Sequence, residues 1–117
     1  MKRLVIIPTY NEKANIEKLI NDIQLQNIEN LDILIIDDNS PDGTGKIIKN
    51  LQKENDNIFI IEREDKLGLG TAYICGFKYA LENNYDQIAQ MDADYSHDPK
   101  DLIKLFKAVE KYDWAIG

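Results

Sequence analysis

Four short apolar runs, each followed by a stretch of helical periodicity, constrain this chain more than any other feature. "RLVII" (3–7), "LDILII" (31–36), "NIFIIE" (57–62) and "DQIAQM" (86–91) have the length and the Ile, Leu, Val or Phe content of strands. The first three are nearly continuous in apolar residues, which predicts a sheet covered on both faces. Between them, Ile16, Leu19, Ile20 and Ile23 fall on one helix face. Ile47, Ile48 and Leu51 make a second, shorter stripe, and a third run from Leu69 to Leu81 includes Tyr73, Phe77 and Ala80. Leu102, Leu105, Phe106 and Val109 form the fourth, opened by Asp98-Pro99 with Asp as cap and Pro at the first helical position. The order βαβαβαβα with right-handed crossovers predicts an α/β fold, a mostly parallel sheet flanked by helices. The chain shows no linker or internal repeat, and its 117 residues suffice for a single core.

Charge and composition narrow the partners. The net charge of −7, with 14 basic residues dispersed along the chain, argues against nucleic acid, because phosphate backbones attract clustered Lys and Arg. The single cysteine, Cys75, excludes an intrachain disulfide and a cysteine-based metal site, so nothing requires an oxidising compartment. The apolar run of "MKRLVIIPTY" stops at Pro8, too short for a signal-peptide core. No stretch approaches the roughly 20 apolar residues that span a bilayer. The expectation is a soluble, cytoplasmic protein.

In sheets of this kind ligands bind in the loops at the carboxyl ends of the strands. The unusual residues fall there: "PTYNE" (8–12), "DDNSPDGT" (37–44), "REDKLGLGTA" (63–72) and "DADYSHD" (92–98). Asp92 and Asp94 stand two apart, so in an extended strand end both carboxylates project to one side. A hard divalent cation, Mg²⁺ or Mn²⁺, bridges such a pair and leaves its other positions to water and phosphate. A bare D-x-D is also satisfied as a solvated acidic turn, with Asp98 serving only as a helix cap. In "DDNSPDGT" the residues Ser40, Pro41, Asp42 and Gly43 are turn formers and Thr44 is a candidate cap for the next helix. That accounts for the turn but not for two adjacent acids after a buried strand, where an acid can accept hydrogen bonds from a nucleobase or ribose.

Other chemistries are excluded or left as structural. Gly68 and Gly70 supply G-x-G, but Tyr73 stands where the third glycine of a dinucleotide fingerprint belongs, and the motif follows the third strand rather than the first. A P-loop is absent. Gly68, Gly70 and Gly76 are expected to let a helix start tightly and pack closely. A lone loop histidine, His97, is more often structural than ligating. Cys75 is expected to pack as a small hydrophobe.

Taken together, "PTYNE", "IIDDNSPDGT", "GLGTAYICGFKYA" and "MDADYSHDP" resemble the inverting family 2 glycosyltransferases of GT-A fold, and within them the dolichol-phosphate (polyprenol-phosphate) mannosyltransferase group. The resemblance runs from residue 4 to the last residue with the motifs in order. It implies transfer of a hexose from a nucleotide diphosphate sugar, GDP-mannose in this group, to a polyprenyl phosphate at a membrane face, where the protein would sit peripherally. It further implies that Pro8, Tyr10 and Glu12 line the nucleoside pocket, with Ile36 and Asp38 beside base and ribose. Asp92, Ala93 and Asp94 would hold Mg²⁺ or Mn²⁺ and the donor diphosphate, with Ser96 where some relatives place a further metal-side ligand.

Family members continue past the point reached by "YDWAIG" (112–117) with an acceptor half that supplies basic residues and further strands. Residues 1–117 are therefore expected to be the donor-binding half, binding a nucleotide weakly and transferring sugar poorly or not at all. The family's strand order, 3-2-1-4, leaves strand four at an edge. Open edges invite association, so pairing between copies is expected through residues 86–91. Two other classes fit parts of the pattern: a non-catalytic nucleotide-binding or interaction module completed by a partner chain, and a UDP-sugar-dependent transferase of the same family. A nucleotidyltransferase is disfavoured, because "PTYNE" replaces its glycine- and basic-rich first loop.

Overall fold

The computed structural model describes residues 1–64, 68–94 and 98–109. Strand β1 (Arg3–Thr9) is followed by helix α1 (Ile16–Gln24), β2 (Leu31–Asp37), α2 (Thr44–Gln52), β3 (Ile58–Glu62), α3 (Leu69–Glu82) and β4 (Gln87–Gln90). A 3₁₀ turn (Pro99–Asp101) then leads into α4 (Leu102–Val109). The four strands are parallel in the order β3-β2-β1-β4, as the resemblance implies.

The unbroken apolar runs of β1 and β2 are explained by cores on both faces of the sheet. Val5, Ile7, Ile33 and Ile35 point to the side covered by α1, α2 and α4, where they meet Ile16, Leu19, Ile20, Ile23, Ile48, Leu102 and Phe106. The alternate residues Leu4, Ile6, Leu34 and Ile36 point to the opposite side, against Ala72 and Ala80 of α3. That second contact is close: a Cβ added at Gly76 would lie 2.6 Å from Ile6 Cγ2. Glycine there lets α3 sit directly on β1.

Two local readings change. Thr44 does not cap α2: the capping position is Gly43, at φ 93°, and the Thr44 amide donates to Asp42 Oδ1 (3.0 Å). The edge strand β4 is also shorter than the apolar run 86–91, pairing with β1 only from Arg3↔Gln87 to Ile6↔Gln90. Asp98 does cap the turn before α4, its carboxylate accepting the Lys100 amide at 2.9 Å.

Strand β1 outruns β4, and the reason is Pro8. The Ile6 carbonyl accepts the Met91 amide at 3.0 Å, so Ile6 faces β4. Backbone polar groups of residues two apart in a strand point the same way, so Pro8 presents its missing N–H on that side, where no ladder bond can form. On the other side β1 stays paired with β2 through Thr9↔Asp37. The sheet therefore splits open between β1 and β4. This is also where the strand order reverses, the crevice at which open α/β sheets bind ligands.

Candidate functional site

A cavity of about 280 Å³ opens at this split, lined by Pro8, Thr9, Tyr10, Glu12, Asp38, Gly68, Ala72, Asp92, Ala93 and Asp94. Of the residues singled out from sequence, Pro8, Tyr10, Glu12, Asp38, Asp92, Ala93 and Asp94 thus line one cavity. Ile36 does not join them. Its side chain is fully buried with Leu4, Ile6 and Leu34: it shares the face of Asp38 two residues on, but it lies inside the sheet, packed under α3, whereas Asp38 stands past the end of β2. Ser96 and His97 lie outside the described residues, as does "YDWAIG".

Each acid is held differently. Asp37 ends β2 almost wholly buried, and it is structural: Oδ1 accepts the hydroxyls of Thr9 (2.7 Å) and Ser40 (2.7 Å), and Oδ2 accepts the Ser40 amide (3.1 Å). Asp38, the next residue, reaches the cavity. Its carboxylate is gripped by Arg63, with Nε 2.6 Å from Oδ1 and Nη2 2.8 Å from Oδ2. Arg63 also donates to Thr71 Oγ1 (3.0 Å) and to the Gly68 carbonyl (3.2 Å), tying the ends of β2 and β3 to the start of α3.

Asp92 is anchored from α3. The Tyr73 hydroxyl donates to Asp92 Oδ1 at 2.7 Å. Burial, this hydrogen bond and the charges of Asp92 and Asp94 hold the phenol far above its ordinary pKa, so it remains a donor throughout the working pH range. Asp94 is exposed at the cavity mouth. Burial also raises the Glu12 carboxyl above its ordinary value; the Asn15 hydrogen bond opposes the rise, and the charges of Asp94 and Asp42 add to it. Glu12 therefore feels Asp94 across the cavity.

The donor chemistry fits a hard cation. Asp92 and Asp94 offer oxygen ligands at one wall, and among the described residues no group of three acid, histidine or cysteine side chains is gathered to enclose a metal alone. Mg²⁺ in particular is commonly bound by one or two carboxylates plus substrate phosphates rather than by a protein cage. The described lining includes four acids and no Lys or Arg, so an anionic ligand would enter against repulsion unless a cation came with it.

Sequence reasoning did not single out Thr9 or Ala72 in the wall, nor Arg63 and Tyr73 behind it. Small residues at 70–72 before Tyr73 were a weak signal that α3 begins at a ligand.

Comparison with known proteins shows what the chain is similar to. Residues 4–117 match glycosyl transferase family 2. An undecaprenyl-phosphate mannosyltransferase of Micrococcus luteus is 41% identical over 117 residues, covering 100% of this chain and 48% of that protein. A polyprenol monophosphomannose synthase of Mycolicibacterium smegmatis is 41% identical over 118 residues, covering 99% of this chain and 44% of the relative. The chain thus spans about half the length of the relatives it matches. Among solved structures, mannosyltransferase PcManGT from Pyrobaculum calidifontis in complex with GDP-Man and Mn²⁺ superposes with a TM-score of 0.78. At 23% identity, over 92% of this chain and 32% of that one, this likeness speaks to the fold, a parallel sheet of GT-A type. On the match across residues 4–117, the chain belongs to glycosyl transferase family 2.

Proposed function

We propose that residues 1–117 are the donor-binding half of a glycosyltransferase that moves mannose from GDP-mannose to a polyprenyl phosphate, inverting the anomeric carbon. The observation that carries this reading is the cavity itself, in which Tyr10, Glu12 and Asp38 face Asp92 and Asp94 across the split between β1 and β4. The names of the Micrococcus and Mycolicibacterium relatives favour mannose and a polyprenyl phosphate.

In this reading Tyr10, Glu12 and Asp38 bind the nucleoside, with Asp38 sharing its carboxylate between Arg63 and the ligand. Asp92 and Asp94 would hold Mn²⁺ or Mg²⁺, which would supply positive charge for the donor diphosphate. Bound there, the cation would neutralise charge building on the leaving β-phosphate oxygen. Tyr73 keeps Asp92 aimed into the cavity. The acceptor is a phosphate monoester, already anionic near neutral pH, so no strong general base is required of the chain. Its oxygen forms a bond to the anomeric carbon from the face opposite the breaking bond to the diphosphate. Much of the rate then comes from holding donor and acceptor in line. No helix among the described residues is long and apolar enough to cross a membrane; the reading places the meeting with a polyprenyl phosphate at the cytoplasmic membrane face.

Calorimetric titration of the full-length protein with GDP-mannose and UDP-glucose, each with and without Mn²⁺, tests the reading. Tight binding of GDP-mannose only with the metal is expected. Preference for UDP-glucose would move the protein to the UDP-sugar branch of the family. Binding of neither, or equal binding without metal and with Asp94→Asn, would overturn the site.

A further inference from the structure

The loop carrying Tyr10 and Glu12 is held by the neighbouring β2–α2 loop through three consecutive backbone amides. The Asn11 amide donates to Ser40 Oγ (2.9 Å), the Glu12 amide to Thr44 Oγ1 (3.0 Å), and the Lys13 amide to Asp42 Oδ2 (3.0 Å). None of these three amides belongs to a helix ladder, since α1 begins at Ile16. The acceptors are organised in turn. Thr44 Oγ1 donates its one proton to Asp42 Oδ1, and Ser40 Oγ donates its own to Asp37 Oδ1. Each hydroxyl is thereby fixed as an acceptor toward the incoming amide.

We propose that Ser40, Asp42 and Thr44, none of which lines the cavity, are positioning residues for the donor site, setting the backbone at 11–13 so that Tyr10 and Glu12 stand against the ligand. The proposal rests on the reading of the cavity as a nucleotide-sugar site.

Glu12 shows why the latch reaches function. Its amide is taken by Thr44, and its carbonyl accepts both the Asn15 amide (3.0 Å) and the Ile16 amide (2.9 Å). The peptide groups on both sides are fixed, so only the Glu12 side chain is left to move, and its origin is set by Thr44. Asn11 adds a need for restraint: it sits at φ 56°, a left-handed conformation that a non-glycine residue keeps only when its surroundings hold it there. Thr44 is itself fully buried, so water cannot replace its hydroxyl as the acceptor for Glu12. The opposite wall does not depend on this lacing, because Asp92 is anchored by Tyr73 from α3.

The test is donor affinity in the full-length protein, titrated with GDP-mannose and UDP-glucose at saturating Mn²⁺, alongside thermal melting. Thr44→Val keeps the shape and removes both hydrogen bonds; it is expected to weaken binding of the preferred donor about tenfold, the size of effect typical of losing an orienting hydrogen bond. Thr44→Ser keeps the hydroxyl and should recover binding to within about threefold of wild type, on the same scale. In a Glu12→Ala background the further effect of Thr44→Val should shrink, because the part that acts through Glu12 is gone and only the part through Tyr10 remains. A folded Thr44→Val protein binding as wild type does, or full additivity with Glu12→Ala, would overturn the positioning role. Should Thr44→Val not fold, Ser40→Ala at a half-buried position carries the same test, with unchanged affinity overturning the proposal. Absence of donor binding in the wild type would instead sink the underlying site reading.

Discussion

Replacing Tyr73 with Phe removes one oxygen and leaves the ring in place, so it isolates the hydrogen bond to Asp92 Oδ1 (2.7 Å). Tyr73 and Asp92 are each half-buried, and water can partly substitute for the lost hydroxyl. A hydrogen bond to a charged group contributes about 1.5–3 kcal/mol when fully shielded, so the stability lost here should fall below about 1.5 kcal/mol. The larger effect is expected on the metal. Loss of an outer partner that orients a ligating group typically weakens metal affinity by about 10–100-fold. Differential scanning calorimetry of the full-length protein reads both quantities. With Mn²⁺ and GDP at about 100 times the wild-type dissociation constant, binding adds about 2.7 kcal/mol of stability; a tenfold weaker variant retains about 1.4 kcal/mol at the same concentrations. The difference of about 1.3 kcal/mol corresponds to a melting shift of several degrees for a domain of this size. A Tyr73→Phe protein that melts near wild type without ligand, yet gains the same stabilisation from Mn²⁺ and GDP, would show that Asp92 needs no anchoring or holds no metal.

The ion pair behind the cavity should dominate stability. Arg63 and Asp38 have side-chain exposures of only 11% and 8%, so Arg63→Met strands a nearly buried carboxylate and should cost about 3–5 kcal/mol by denaturant unfolding. A loss under about 1 kcal/mol would contradict the buried fork. Glu12 gives a pH signature. Its carboxyl is raised above 4.5 in the folded protein, so ionising it costs stability that is lost as pH climbs upward through that value. Glu12→Gln should therefore melt higher than wild type at neutral pH without metal, with the gap closing on acidification below about 4.5. A gap that stays constant or widens in acid would refute the sign. Finally, a chain of these 117 residues leaves one edge of β4 without a strand partner among the described residues, so pairing of copies along Gln87–Gln90 is expected. Sedimentation equilibrium showing a monomer, with amides 87–90 protected from exchange, would exclude it.

How much of this was legible in the sequence depends on the range of the interaction. Residues of β1 and β2 alternate between two cores, and each strand announces its own burial by an unbroken apolar run, so the sheet could be read without knowing its neighbours. The cavity acids were legible for a similar local reason: they sit directly after strands, and the strand order brings those ends together. Ile36, a candidate by resemblance, shares the face of Asp38 by two-residue alternation, but it lies one pleat deeper, covered by α3, and only Asp38 past the end of β2 reaches the cavity. Arg63, Tyr73 and Thr44 were not legible at all. Their partners stand 25, 19 and 32 residues away, and nothing local distinguishes an arginine that forks onto Asp38 from one that faces water. Thr44 is the clearest case: position and residue type suited it to cap its own helix, yet Gly43 occupies that place at φ 93° and the threonine hydroxyl turns to the Glu12 amide instead. A cap satisfies the helix that owns it. By giving that hydroxyl to another loop, α2 leaves its own first turn to Asp42 and spends its one buried hydroxyl on the geometry of the cavity wall.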